Sequence, residues 1–191
     1  MRYRHRVLGL LALTILAACQ SARLTGVSER LDARAGITLV SVTKPLVFAR
    51  TEGRYSRSAR DYIYLGPVEV NRQGQRDYFL WVGVGTTLDR GYLAPESAIP
   101  DTLIMSVRGE LMALDLLPWD QRVPGLADPV IYDPAVRVRA ALGARVSRQQ
   151  LALIANESLP SIRVAASDGT MRAYTRWRDG TSWDGLIAAA P

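Results

Sequence analysis

The sequence predicts a mainly β fold: an antiparallel sandwich or open barrel of about eight strands with one or two packed helices, an α+β arrangement being the alternative. Three observations lead there. Short β-branched and aromatic runs follow one another with turn residues between them, at Tyr62–Val70 and Tyr78–Val84, at Leu103–Val107 and Leu111–Leu116, and at Ile162–Ala166 and Met171–Trp177. Runs paired in sequence favour antiparallel hairpins. Only one stretch carries a full helix start signal, the capping box Ser147-Arg-Gln-Gln150.

Taken in order, Ile37–Val42 is a β-branched run, and Pro45 interrupts it before Leu46–Phe48. Residues 50–60 lack an apolar period and read as an exposed loop. In Tyr62–Val70 the tyrosines 62 and 64 share one face, and Ile63 and Leu65 share the other. Asn71 to Arg76 predicts a longer hairpin loop, and Tyr78-Phe-Leu-Trp-Val82, apolar on both faces, a central buried strand. Arg108-Gly109-Glu110 marks the second hairpin turn. Pro118, Pro124, Pro129 and Pro134 predict an irregular crossing loop over 118–134. Val136–Ala140 alternates strictly, as a half-exposed strand does. A helix over Arg148–Glu157 presents Leu151, Ile154 and Ala155 on one face. Ser167-Asp168-Gly169 turns the third hairpin, and Trp183–Ala189, capped by Ser182, predicts a closing helix. Residues 20–36 are small and polar and read as a tether, with a short helical piece around Ser28–Ala33.

The first residues carry a different signal. Met1 to Arg6 is a positively charged segment, Val7 to Ile15 a short apolar run, and small residues precede Cys19. That is the layout of an export signal, too short in its apolar part for the roughly 20 residues of a spanning helix. Leu16-Ala17-Ala18-Cys19 resembles the lipobox of bacterial lipoproteins. The resemblance implies cleavage before Cys19, a diacylglycerol on its thiol and usually an acyl group such as palmitate on the new amine. Two or three acyl chains, at about 0.8 kcal/mol per buried methylene, anchor a protein stably. The expected organisation is a signal peptide at 1–18, a lipidated N-terminus and tether at 19–36, and one β-rich domain at 37–191. An Asp after the cysteine often retains such proteins in the inner membrane. Gln20 stands there instead, which implies a lipid-anchored protein on the periplasmic side of the outer membrane, the inner membrane being the alternative.

Composition restricts the chemistry. The precursor of 191 residues has a formal charge of +6. Loss of Arg2, Arg4 and Arg6 lowers this to +3, which argues against nucleic acid as a partner. The single histidine, His5, and the single cysteine, Cys19, both belong to the N-terminal segment. The exported domain should then lack Ser-His-Asp and Cys-His devices and the usual zinc ligands. No cofactor, metal or catalytic residue is assigned. Ser41-Val-Thr-Lys44 has the bare Ser-x-x-Lys spacing of penicillin-binding enzymes, but in a β run its two residues face opposite ways. Val82-Gly-Val-Gly85 lacks the ending of a phosphate loop and reads as a bend or a close backbone approach. Glu96, Asp101, Glu110, Asp115 and Asp120 lie near strand ends without a spacing that selects a pair.

The most basic stretch holds Arg50, Arg54, Arg57 and Arg60. These are the candidate contacts to an anionic partner: phospholipid head groups, an anionic glycolipid or an acidic face of an envelope protein. Tyr62, Tyr64, Tyr78, Trp81, Tyr174 and Trp177 read as core filling. The expected function is a non-enzymatic, membrane-anchored binding or assembly component facing the periplasm. The alternatives are a carboxylate-dependent enzyme on cell-wall glycan and an accessory subunit docked to an envelope complex.

Overall fold

A computed structural model describes residues 26–51, 59–87 and 99–177. It is mainly β, with eleven antiparallel strands and two helices: β1 (Val27–Asp32), β2 (Ile37–Val42), β3 (Leu46–Thr51), β4 (Arg60–Arg72), β5 (Gln75–Thr86), β6 (Pro100–Val107), β7 (Glu110–Asp115), β8 (Leu117–Pro118), α1 (Trp119–Arg122), β9 (Val138–Val146), α2 (Arg148–Ala155), β10 (Ser161–Ala166) and β11 (Met171–Arg176). The strand order is β7-β6-β10-β11-β3-β4-β5-β9-β8. The first and last strands of that order, β7 and β8, are consecutive in the chain, separated by Leu116 alone. The Leu116 N–H donates to the Asp101 carbonyl at 2.7 Å. The sheet therefore curls back on itself as a nearly closed barrel, which leaves little free edge.

β4 and β5 are the spine. They pair from Asp61↔Thr86 to Arg72↔Gln75 around a two-residue turn. Gln73 (φ 53°) and Gly74 (φ 93°) both take the left-handed conformation that such a turn requires, and the Asn71 side chain accepts the Gly74 N–H at 2.8 Å. The hairpin loop is thus tighter than the turn residues between 71 and 76 suggest. β4 is long enough to pair β3 along its first half and β2 along its second. Arg108 and Gly109, with φ of 54° and 81°, make the same turn between β6 and β7.

Registers sort the side chains. Opposed residues share a face and neighbours alternate. Ile63 and Leu65 of β4 therefore lie with Phe48, Val84, Val82 and Leu142 on the inner face, and the same face carries Leu103, Met105, Leu114, Ile162, Val164 and Tyr174. All of these are buried except Val84, which is half-buried. The outer face of β4 and β5 is also covered. α1 and the segment after it cross it, with Trp119 edge-on to Phe79 at 5.8 Å and Trp81 beside Tyr132 at 5.0 Å. Glycines admit these rings. A Cβ on Gly66 would lie 2.3 Å from the Tyr132 ring, and one on Gly143 2.8 Å from Trp119.

Three expectations change. Val27–Asp32 is an edge strand paired to β2, not tether or helix. Its Arg30 and Asp32 hold the crossing segment: Arg30 reaches the Asp128 carboxylate at 2.7 Å, and Asp32 accepts the Ala127 N–H at 2.7 Å. The last strand before α2 runs Val138–Val146 rather than 136–140, its small residues Gly143 and Ala144 being demanded by Trp119 and the core. Proline-rich 118–134 contains a strand pairing at Leu117–Pro118 and a turn of helix before it becomes irregular. The capping box forms as expected: Ser147 accepts from the Gln150 N–H at 3.1 Å, and the Gln150 side chain accepts the Ser147 N–H at 2.8 Å. Leu151 and Ile154 pack α2 against β5. Trp183–Ala189 lies outside the described residues.

Candidate functional site

Of the four arginines expected to meet an anionic partner, Arg54 and Arg57 lie outside the described residues, as does Cys19, the expected lipidation residue. Arg50 is the last residue but one of β3, and Arg60 begins β4. The register Arg50↔Asp61 and Thr51↔Arg60 puts them on opposite faces of the sheet. Arg50 turns to the inner face, 3.2 Å from the Asp61 carboxylate and 5.8 Å above the Tyr174 ring. Arg60 turns outward, 4.6 Å above the Trp177 ring, which meets Tyr62 edge-on. Both guanidiniums are thus engaged by the domain's own residues. Burial, followed by the charge of Asp61, pushes the Tyr174 phenol above its ordinary value, against the pull of Arg50.

Asp61 and Glu69 are the two buried acids of β4, each 5% exposed, and neither stood out in the sequence. Both face inward, one toward each end of the barrel. Glu69 pairs with Arg76 at 3.5 Å as Asp61 pairs with Arg50. Eight residues of strand hold them about 26 Å apart, too far to act together on one bond. Among the acids singled out at strand ends, Asp101 accepts the Thr102 hydroxyl and Asp120 the Gln121 N–H. Glu110 and Asp115 are the exposed ends of β7, and Glu96 lies outside the described residues. No group of three metal-binding side chains gathers among the described residues.

Ser41 is buried on β2, with its side chain near the Tyr132 phenol. That phenol donates to the Pro67 carbonyl at 3.0 Å. Burial drives the Tyr132 hydroxyl far above its ordinary pKa, with Ser41 and the Val42 backbone opposing. Lys44 stands beyond the end of β2. Gly83 lies under the Trp81 ring and Gly85 beside Tyr64, with the β5–β9 register shifting between Val84 and Gly85, so the Val82–Gly85 stretch is both a close approach and a bend. The expected aromatic core holds for Tyr62, Tyr64, Trp81 and Tyr174, while Tyr78 and Trp177 are half-buried.

Two concavities lie on the outer face. One, of about 330 Å³, is mainly apolar and lies between Trp81, Trp119, Tyr132, Val130 and Val138, with Asp120 and Arg139 also in its lining. The other, of about 460 Å³, lies where the β4–β5 turn, β8, α1 and β9 meet. Arg72, Arg122 and Arg145 line it, with one acid, Asp77, and the carboxamides of Gln75 and Gln121. Asp77 bridges Arg145, by a short hydrogen bond, and Arg72 at 3.8 Å. The Arg122 guanidinium donates to the carbonyls of Gly143 and Asp115, both at 2.9 Å. Among the described residues the groove thus holds three cations against one anion. Comparison with protein-family models, with curated proteins and with solved structures finds no match for this chain.

Proposed function

We propose that this chain is a bacterial lipoprotein, anchored through Cys19 on the periplasmic side of the outer membrane, whose β-barrel domain works there as a binding or assembly component. The observation that carries the reading is Leu16-Ala17-Ala18-Cys19 directly after a charged segment and a short apolar run. The small side chains of Ala17 and Ala18 let a peptidase approach the backbone, and Cys19 supplies the thiol to be acylated. The start of the sheet at Val27 adds a length. Six residues separate Cys19 from Gly26, and the seven steps of chain between the two span at most about 25 Å when fully extended. An anchored Cys19 therefore holds the barrel close against the lipid surface, within reach of head groups and of membrane-bound partners.

The test is Cys19→Ala in the native host, followed by separation of inner and outer membranes on a density gradient. The wild type should sediment with the outer membrane and the variant should leave it. A variant that stays with the outer membrane overturns the anchor. Recovery of the wild type in the inner-membrane fraction overturns the expected side while leaving the anchor intact.

A further inference from the structure

We infer that the groove bounded by Arg72, Arg122 and Arg145 is a binding site for a phosphate-type oxyanion, free or as the head group of an anionic phospholipid. This deepens the binding half of the function proposed above and does not need the acyl anchor.

The argument starts from the three guanidiniums. They come from three separate elements, β4, α1 and β9, and converge on one cavity of about 460 Å³. Register places Arg72, Asp77 and Arg145 on the outer face of the sheet. Asp77 holds Arg72 and Arg145 toward each other from its place between them. One carboxylate cannot neutralise two guanidiniums, so the pair keeps one excess charge.

Arg122 adds the second. Its Nε and one Nη donate to the carbonyls of Gly143 and Asp115. These bonds fix the plane of the guanidinium but leave its charge uncompensated, because a carbonyl is only a dipole. Among the described residues no acid lies within salt-bridge distance of it. The remaining Nη keeps donors in a group already oriented, so little side-chain freedom is lost when an anion binds. Planar, oriented donors match the oxygens of phosphate. Gln75 and Gln121 add neutral amide donors at the rim. Phe79 and Pro124 give the floor an apolar part, which lowers the local polarisability and strengthens attraction to a bound anion.

Arg50 and Arg60 face opposite ways and are engaged by Asp61 and Trp177. The groove lies at the other end of β4, around Arg72.

The experiment uses the protein purified from its native host in neutral detergent, titrated with inorganic phosphate, dihexanoyl phosphatidylglycerol and dihexanoyl phosphatidylcholine. Binding is followed by calorimetry and by the arginine Nε–H signals in NMR. Saturable binding of phosphate or of the phosphatidylglycerol is expected. Arg145→Gln, on an exposed side chain, should weaken it about tenfold, the effect of losing one charge-assisted hydrogen bond. Arg122→Gln should weaken it at least as much, and an unchanged melting temperature in Arg145→Gln separates lost binding from lost folding. Tighter binding of phosphatidylglycerol than of phosphate assigns a lipid source, and the reverse assigns a soluble one. Either outcome upholds the site. Absence of saturable binding to both, equal binding to phosphatidylcholine, or affinities unchanged in both variants overturns it. Because the titration works with or without acyl chains, its failure is distinct from failure of the anchor.

Discussion

Gly66→Ala tests how the crossing segment is held to the barrel. The ring of Tyr132 lies flat on the Gly66 backbone: an added Cβ would meet its Cε2 and Cζ at 2.3 Å and its hydroxyl oxygen at 2.4 Å. Nothing forbids alanine in the backbone itself, since Gly66 does not have a positive φ. The ring has little room to yield. Trp81 lies against it, and its hydroxyl donates to the Pro67 carbonyl. Overpacking of this kind costs about 1–3 kcal/mol. Displacing the phenol loses a buried hydrogen bond, about 1 kcal/mol more. Alanine returns about 0.4–1 kcal/mol by restricting the unfolded chain. The expected loss is about 2–3 kcal/mol, a fall in melting temperature of about 4–12 °C for a domain of this size. Urea unfolding measures it. The decisive control is the same substitution in a Tyr132→Leu background, which removes the atoms that clash. There Gly66→Ala should be neutral or slightly stabilising. An equal loss in both backgrounds would refute the contact as its cause.

Asp61→Asn should destabilise the barrel by about 3 kcal/mol in urea unfolding, because it leaves Arg50 facing inward without its buried carboxylate. A loss below 1 kcal/mol would mean that the ion pair is open to water. The Asp32 carboxyl is held below its ordinary pKa by the N–H of Ala35 and then that of Ala127. A depressed folded pKa contributes stability that is present above the unfolded value, about 3.9, and lost as pH falls through the folded one. Stability should therefore decline below about pH 4, with a shallower decline in Asp32→Asn; parallel curves would contradict this. Ser147→Ala removes the cap of α2 and should cost about 1 kcal/mol, read from the urea midpoint, whereas an unchanged midpoint would deny the capping box a role in stability.

Much of the fold is legible in the sequence because it depends on local signals. Ser147 and Gln150 name their helix, and the alternation in Tyr62–Val70 and Met171–Trp177 names strands that the structure contains. Val27-Ser-Glu-Arg-Leu-Asp32 misleads because its apolar residues stand four apart, a helical spacing. Pairing with β2 and the contacts of Arg30 and Asp32 outweigh that weak preference. The second half of β9 hides because Gly143 and Ala144 are chosen for a neighbouring ring rather than for β propensity. The arginine groove is invisible for a different reason. Arg72, Asp77, Arg122 and Arg145 are spread over four elements, and only barrel closure through Leu116 brings β8 and α1 beside β9. Conversely, Arg50 and Arg60 look like one cluster in the sequence, yet the pleat divides them.

The most direct test of the account is intact-protein mass spectrometry of the chain purified from its own host. The account predicts a polypeptide beginning at Cys19 and carrying the mass of a diacylglycerol and, usually, an N-terminal acyl group. A chain that still begins at Met1, or a Cys19 with an unmodified thiol, would contradict it.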